Sequence, residues 1–246
     1  MILIAEDQVV FQELYSLVLN KLGLPFILAV DGRQAIDKAL QNDPALILMD
    51  IQMPLIDGYG AAEELRKLGF KKPIIAVTAD DKKDEESCQK AGIDDLLLKP
   101  FKPSDVERII DRWMDAERKP PVVSEEETSS KQKEVFDSAA MFDTFMNNEE
   151  IAISLLSRFI ERTQGQLEKL SSLKKITDWD KCRQIAHMIR GAAFTMGGSE
   201  LGKIASRLEL AYKNTDTEEI EAAFPFLEKA FERFKKDAED FINSRS

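Results

Sequence analysis

Five short apolar runs punctuate the first half of the chain: MILIA, PFILAV, ALILMD, PIIAV and DLLLK. None alternates cleanly between apolar and polar residues. Such runs fit strands buried on both faces, the habit of a parallel sheet. The stretches between them, VFQELYSLVLNKLG, GRQAIDKALQ, YGAAEELRKLG and DEESCQKAG, carry apolar residues at helical spacing, and several end in Gly, a common helix stop. PSDVERIIDRWMDA adds a further helix, with Ser104 or Asp105 near its cap. Alternation of this kind leaves few topologies open. It predicts an α/β, doubly wound, five-stranded parallel sheet with helices on both faces.

The pattern changes at about Asp115. From there to Glu134 the sequence DAERKPPVVSEEETSSKQKE holds a Pro pair and a Ser/Glu/Thr/Lys cluster, and reads as a linker. The expected domains are residues 1–116 and 135–246, with the linker at 117–134. About 20 residues of coil span roughly 25 Å, which lets the two halves meet without forcing them to. Beyond the linker the periodicity is helical throughout, in EEIAISLLSRFIERTQGQLEKL, LGKIASRLELAY and IEAAFPFLEKAFERFKKDAEDFI. Pro225 predicts a break or kink in the last of these. This half is expected to be all-α, a four-helix bundle.

A hydrophobic content of 43% supports real cores in both halves. The formal net charge of -11 argues against a nucleic-acid partner, because binding a phosphate backbone needs a basic face. The start, MILIAEDQ, lacks the positive front and long apolar stretch of a signal peptide. No segment approaches the ~20 apolar residues of a membrane span, so no membrane insertion is expected. Cys88 and Cys182 lie far apart without metal-like spacing, which fits a reduced, cytoplasmic compartment.

In open parallel sheets, ligands bind beyond the carboxyl ends of the strands. MILIA delivers Glu6 and Asp7 there, ALILM delivers Asp50, PIIAV delivers Thr78 and DLLL delivers Lys99. Carboxylate oxygens are hard ligands, suited to Mg²⁺. Lys99 and Thr78 would hold the oxygens of a phosphoryl group carried by Asp50. Taken singly, the acidic pair could be a helix cap, Thr78 an N-cap and Lys99-Pro100 a turn. Their coincidence at the ends of separate buried strands is what favours a site.

Residues from Met1 to about Ala116 resemble a response-regulator receiver domain. The resemblance is carried by Glu6-Asp7, by Asp50-Ile51-Gln52-Met53-Pro54 with Asp57-Gly58, by Thr78-Ala79 and by Lys99-Pro100-Phe101. It implies a flavodoxin-like sheet, Asp50 as phosphoacceptor, and Mg²⁺ held by Glu6, Asp7, Asp50 and the backbone carbonyl of Gln52. Thr78 and Lys99 would contact the phosphoryl group, a cis Lys99-Pro100 bond is expected, and small Ala79 would leave room for the donor. One residue departs from the family: Leu96 stands where an aromatic often reorients on phosphorylation.

His187 is the only histidine, in AHMIRGAAFTMGGSEL. On a helix, Ile185, Ile189, Ala192, Ala193 and Met196 form one apolar stripe, while His187, Arg190, Gly191 and Phe194 fall on another face. His187 is therefore expected to look outward, away from the bundle core. A neutral imidazole nitrogen is a competent nucleophile near neutral pH. Arg190, one turn on, would steady phosphoryl oxygens, and Gly191 would let a partner approach closely. Gly197-Gly198 would end the helix, and Gln184 could orient the imidazole. An arbitrary exposed histidine usually has no task. Residues from about Phe136 to Ile242, however, resemble a histidine phosphotransfer (HPt) domain through Ala186-His187, Arg190-Gly191, Gly197 and Leu201. That resemblance implies an elongated four-helix bundle with His187 as phosphoacceptor. Arg190 keeps the charge of the family's usual Lys but is a planar guanidinium. Phe194 could be a docking contact, or could pack against the linker or the receiver.

Together these features predict a phosphorelay protein that passes a phosphoryl group between Asp50 and His187, or between either and outside partners. No glycine-rich ATP-binding region follows His187. Phosphate would therefore come from a sensor histidine kinase or another receiver or HPt protein, and the receiver would catalyse its own aspartyl phosphorylation and dephosphorylation. One alternative is a non-catalytic docking or scaffold protein with one station inactive. Another is a phosphohydrolase using Asp50 as nucleophile; haloacid-dehalogenase-type enzymes want a second Asp two residues later, where this chain has Gln52.

Overall fold

Each of the five apolar runs forms a strand: β1 (Ile2–Ala5), β2 (Phe26–Ala29), β3 (Leu46–Asp50), β4 (Ile74–Thr78) and β5 (Asp95–Leu98). They pair in parallel in the order β2-β1-β3-β4-β5. The computed structural model describes residues 1–78, 84–114, 135–174 and 178–245, with Asp84, Glu85 and Lys174 described by backbone alone. The linker expected at 117–134 and the small Ala79 expected beside the donor lie outside the described residues.

Every residue of the three central strands β1, β3 and β4 is buried. This is why their sequences run apolar without alternation: helices cover both faces. Each large aliphatic side chain so buried contributes about 1.5–3 kcal/mol. The helices are α1 (Val9–Lys21), α2 (Gly32–Asn42), α3 (Gly58–Lys67), α4 (Asp84–Ala91) and α5 (Pro103–Met114). Asp31 and Asp57 cap α2 and α3, accepting hydrogen bonds from the backbone amides of Gln34 and Gly60. The last of these, α5, starts at Pro103, as expected. Asp105 lies near the cap, in the first turn, and reaches back to accept from the Lys102 backbone N–H at 2.9 Å. That back-bond satisfies an amide which would otherwise have no helical partner.

The second half is helical. Among the described residues a short α6 (Ser138–Thr144) precedes four long helices: α7 (Glu149–Lys174), α8 (Trp179–Thr195), α9 (Ser199–Asn214) and α10 (Thr217–Asn243). Asp137, Asp178 and Asp216 cap α6, α8 and α10. The core includes Phe136, Phe159 and Phe234, with Phe234 meeting the other two rings edge to face at 5.4 and 5.5 Å. No break occurs at Pro225: α10 runs through it. Pro225 is exposed, so its missing N–H and the carbonyl it leaves unserved face solvent. Ala223, Phe224, Leu227, Ala230 and Phe231 are buried on either side of it. Their burial outweighs the ~3 kcal/mol that an internal proline costs.

The chain divides into two compact units, Met1–Thr128 and Ser129–Ser246. Their dividing point falls within residues 115–134, outside the described residues. No helix among the described residues is long and apolar enough to cross a membrane.

Candidate functional sites

Strand order places the first site. β1 has β2 on one side and β3 on the other, so the chain reverses its winding direction between β1 and β3. Such a switch point opens a crevice at the carboxyl ends of the strands. Glu6 and Asp7 follow β1, and Asp50 ends β3. One oxygen from each of these three carboxylates falls within 4.8 Å of the others. Lys99 follows β5, where its backbone N–H donates to the Thr78 carbonyl. Its Nζ donates to Glu6 Oε2 and to Asp50 Oδ2, each at 2.8 Å. The Lys99-Pro100 peptide bond is cis, as expected. Thr78 is buried at the end of β4.

The loop after Asp50 holds the carboxylate by its other oxygen, since the Gln52 backbone N–H donates to Asp50 Oδ1 at 3.1 Å. Gly58 is needed here for space. A Cβ at this position would lie 2.3 Å from the Asp50 carbonyl oxygen, so only glycine lets α3 start so close to the end of β3.

Glu6, Asp50 and Lys99 are all buried. Burial and then the Asp50 charge push the Glu6 carboxyl well above the usual carboxylate range; Lys99 opposes this and Asp7 adds to it. Burial works against the Lys99 ammonium, but Asp50 and Glu6 outweigh it and hold its pKa above the ordinary value. The cluster carries more negative charge than Lys99 balances. A divalent cation bound by oxygen ligands is the charge that fits it.

The second site lies on α8. His187 does not look outward: it is 4% exposed. Periodicity marked one buried stripe on α8, but the helix packs on both α7 and α9 and so has two. The polar face bearing His187 lies against α9, where the partner is a carboxylate. His187 Nδ1 and Glu209 Oε1 are 3.0 Å apart. Arg190 Nη1 pairs with Glu209 Oε2 at 2.8 Å, and Arg190 Nη2 lies 3.1 Å from His187 Nδ1. The buried imidazole thus meets two charged groups, Glu209 and Arg190. Burial opposes the Glu209 charge, but contact with His187 and the charges of Arg190 and Arg183 prevail and hold its carboxyl below the ordinary range.

Phe194 is half-buried, its ring lying over α9. A Cβ on Gly202 of α9 would come within 2.9 Å of the Phe194 ring, so glycine there gives the ring its seat. Gly191 is half-buried beside His187, and Gly197 carries the turn after α8 with φ 75°. Gln184 does not orient the imidazole; its side-chain amide donates to Asp180. Glu209 is the residue that sequence reasoning missed. The signal was present: Glu209 stands four residues after Ala205 and eight after Leu201, on the buried stripe of α9, where an unpaired acid is costly.

Comparison with known proteins finds two domain families in the chain. The model of the response regulator receiver domain matches residues 2–111, and that of the Hpt domain matches residues 154–237. A probable transcriptional regulator ycf27 from Porphyridium aerugineum is 36% identical over 107 residues, covering 43% of this chain and 44% of the relative. The chain thus spans less than half the length of that relative. The sensor histidine kinase GacS of Pseudomonas protegens is 25% identical over 222 residues, covering 86% of this chain and 24% of the kinase. Among solved structures, the receiver domain of sensor histidine kinase PA1611 from Pseudomonas aeruginosa, with a magnesium ion in its active-site cleft, is 41% identical. The match covers 47% of this chain and 97% of that one, with a TM-score of 0.44. The chain carries a response regulator receiver domain followed by an Hpt domain, the pairing of a receiver–Hpt phosphorelay fusion.

Proposed function

We propose that the chain is a relay protein with two phosphoryl stations, Asp50 in a module at residues 1–116 and His187 in a module at 135–246, joined through 117–134. The observation that carries this reading is Asp50 itself: a buried carboxylate at a strand end, held on one oxygen by Lys99 and grouped with Glu6 and Asp7. Glu6, Asp7 and Asp50, with the Gln52 backbone carbonyl, would hold Mg²⁺, which supplies positive charge to offset that of a phosphoryl group. Lys99 and Thr78 bind the phosphoryl oxygens. In transfer, an Asp50 carboxylate oxygen attacks phosphorus and forms a new O–P bond. The N–P bond of a phosphohistidine breaks, and its electron pair returns to the imidazole nitrogen.

At the second station, Glu209 at 3.0 Å and Arg190 at 3.1 Å compete for His187 Nδ1. An ionised Glu209 is a hydrogen-bond partner only when Nδ1 carries the proton, and we assign that tautomer, in which Arg190 bonds Glu209 and not the imidazole. That assignment leaves the lone pair on Nε2, which becomes the nucleophile. Arg190 then pairs with Glu209 and turns to the phosphoryl oxygens as charge builds. Histidine kinases and other relay proteins are the donors and acceptors. A hydrolase reading has no support, because Gln52 has no proton to give or take as an acid/base.

The test is incubation with a phosphorylated donor carrying labelled phosphate. Label at Asp50 will survive acid and be lost in alkali, and label at His187 will do the reverse. Asp50→Asn and His187→Gln each remove one class. Labelling of neither residue, with both variants like wild type, refutes the proposal.

A further inference from the structure

The Lys99 ammonium has a third neighbour. Its Nζ lies 4.1 Å from the centroid of the Phe11 ring, over the ring face. Two of its N–H groups go to Glu6 and Asp50, and the ring closes the remaining side. Phe11 is 1% exposed, on α1. Phe101, two residues after Lys99, packs against the Phe11 ring at 5.6 Å, and Tyr15 stacks on Phe101 at 5.3 Å. Phe11 and Tyr15 are one helical turn apart, so one face of α1 and the loop after β5 form a single aromatic wall. The wall fixes the plane that Phe11 presents to Lys99.

We infer that Phe11 is a positioning residue of the phosphoryl site, its ring face holding the Lys99 ammonium in place while Lys99 exchanges a carboxylate partner for a phosphoryl oxygen. The inference rests on the proposed function. An aromatic face suits this task because it attracts a cation without offering a hydrogen-bond acceptor. A carboxylate or hydroxyl there would compete with the incoming phosphoryl oxygen for an N–H. The ring stabilises the charge in every arrangement of the N–H groups, so Lys99 can let go of Asp50 or Glu6 without leaving the cradle. An aliphatic side chain of similar bulk would fill the space but would offer no such attraction.

The test uses acetyl phosphate with Mg²⁺ on the full chain. Here Asp50 oxygen attacks phosphorus, the bond from phosphorus to the acetyl oxygen breaks, and acetate leaves with its electron pair. Phe11 is replaced by phenylalanines bearing one, two and more ring fluorines. These keep the ring's shape and progressively weaken its negative face. The rate of Asp50 labelling should fall stepwise, to about fivefold to tenfold below wild type at full fluorination. Mg²⁺ affinity and thermal midpoint should hold. Phe11→Trp should keep most of the rate where Phe11→Leu loses it. A labelling rate that is flat across the fluorinated series overturns the inference, as does a fall in rate matched by equal loss of Mg²⁺ affinity. If wild type takes no label at Asp50, the phosphoryl reading itself fails and this inference with it. A labelled wild type with a flat series overturns this inference alone.

Discussion

Asp50 and His187 are both buried, at 1% and 4% exposure, yet the two sites are built differently. The Asp50 site is assembled from the ends of separate strands, and its counter-charge, Lys99, has a side chain only 3% exposed. The His187 site is assembled across two helix faces, and its counter-charge, Arg190, has a side chain 18% exposed. The first cluster has an excess of carboxylates that a metal ion would offset. In the second, the Arg190 guanidinium balances the Glu209 carboxylate with no ion needed. Burial of the cation therefore predicts how much each site depends on it.

The largest effect separates the two cations. Lys99→Ala leaves Glu6 and Asp50 buried without their ammonium, and should cost the receiver about 3 kcal/mol at neutral pH. Added Mg²⁺ should recover part of that loss. Arg190→Ala leaves the buried Glu209 with His187 as a partner and should cost the bundle less, about 1 kcal/mol. Urea denaturation of each variant measures both. Equal costs would break the comparison. Next in size is Glu209→Gln. The amide keeps the shape but cannot hold Nδ1–H as strongly, so transfer from phosphorylated His187 should slow about tenfold. The same variant has a signature in pH. The folded-state pKa of Glu209 is lowered, so its contribution to stability is present above the ordinary carboxylate range and is lost as pH falls through the lowered value. Wild-type bundle stability should drop across that acid window, and Glu209→Gln should flatten the drop. A profile that the variant leaves unchanged would remove Glu209 from the account of the site.

The same contrast explains what could be read from the sequence. Each strand of a parallel sheet delivers its next residues to one edge, so Glu6, Asp7, Asp50, Thr78 and Lys99 could be gathered from chain order alone. Sheet register then brought them together, with the backbone N–H of Lys99 on the Thr78 carbonyl. Helices give no such rule. The stripe Ile185, Ile189, Ala192 and Ala193 was legible, but which neighbour covers the opposite face of α8 depends on packing between helices distant in sequence. His187 therefore reads as exposed until α9 is laid against it, and Phe194 reads as free until Gly202 is seen to make room for it. Pro225 does not break α10 for a related reason. Local cost was visible, whereas the buried face of α10 that outweighs it was not.

A smaller effect tests the seat of Phe194. Gly202→Ala should displace the ring, because the added methyl would press on its outer edge, and should cost about 1 kcal/mol. The ring is half-buried, so transfer at His187 should change by less than about threefold. A larger loss would tie the α8–α9 spacing to the histidine more closely than the Glu209 contact alone requires.

The smallest effect returns to the loop after Asp50. Leu55 has φ 67° and is 85% exposed, in a tight turn where the Ile56 backbone N–H donates to the Pro54 carbonyl at 2.9 Å. A leucine in the left-handed region carries about 1–2 kcal/mol of steric strain, and this one gains no burial in return. Leu55→Gly removes the strain but adds freedom to the unfolded chain, an opposing effect of about 0.4–1 kcal/mol. The net should be a gain of about 0.5 kcal/mol, seen as a thermal midpoint higher by about 2 °C. Asp50 is held by the Gln52 amide on the near side of the turn, so its labelling rate should stay within about twofold of wild type. If stability rises while labelling collapses, the strain at Leu55 is what aims the loop at the phosphoryl site. The first site would then depend on loop geometry as much as on strand ends, and the contrast with the helical site would narrow.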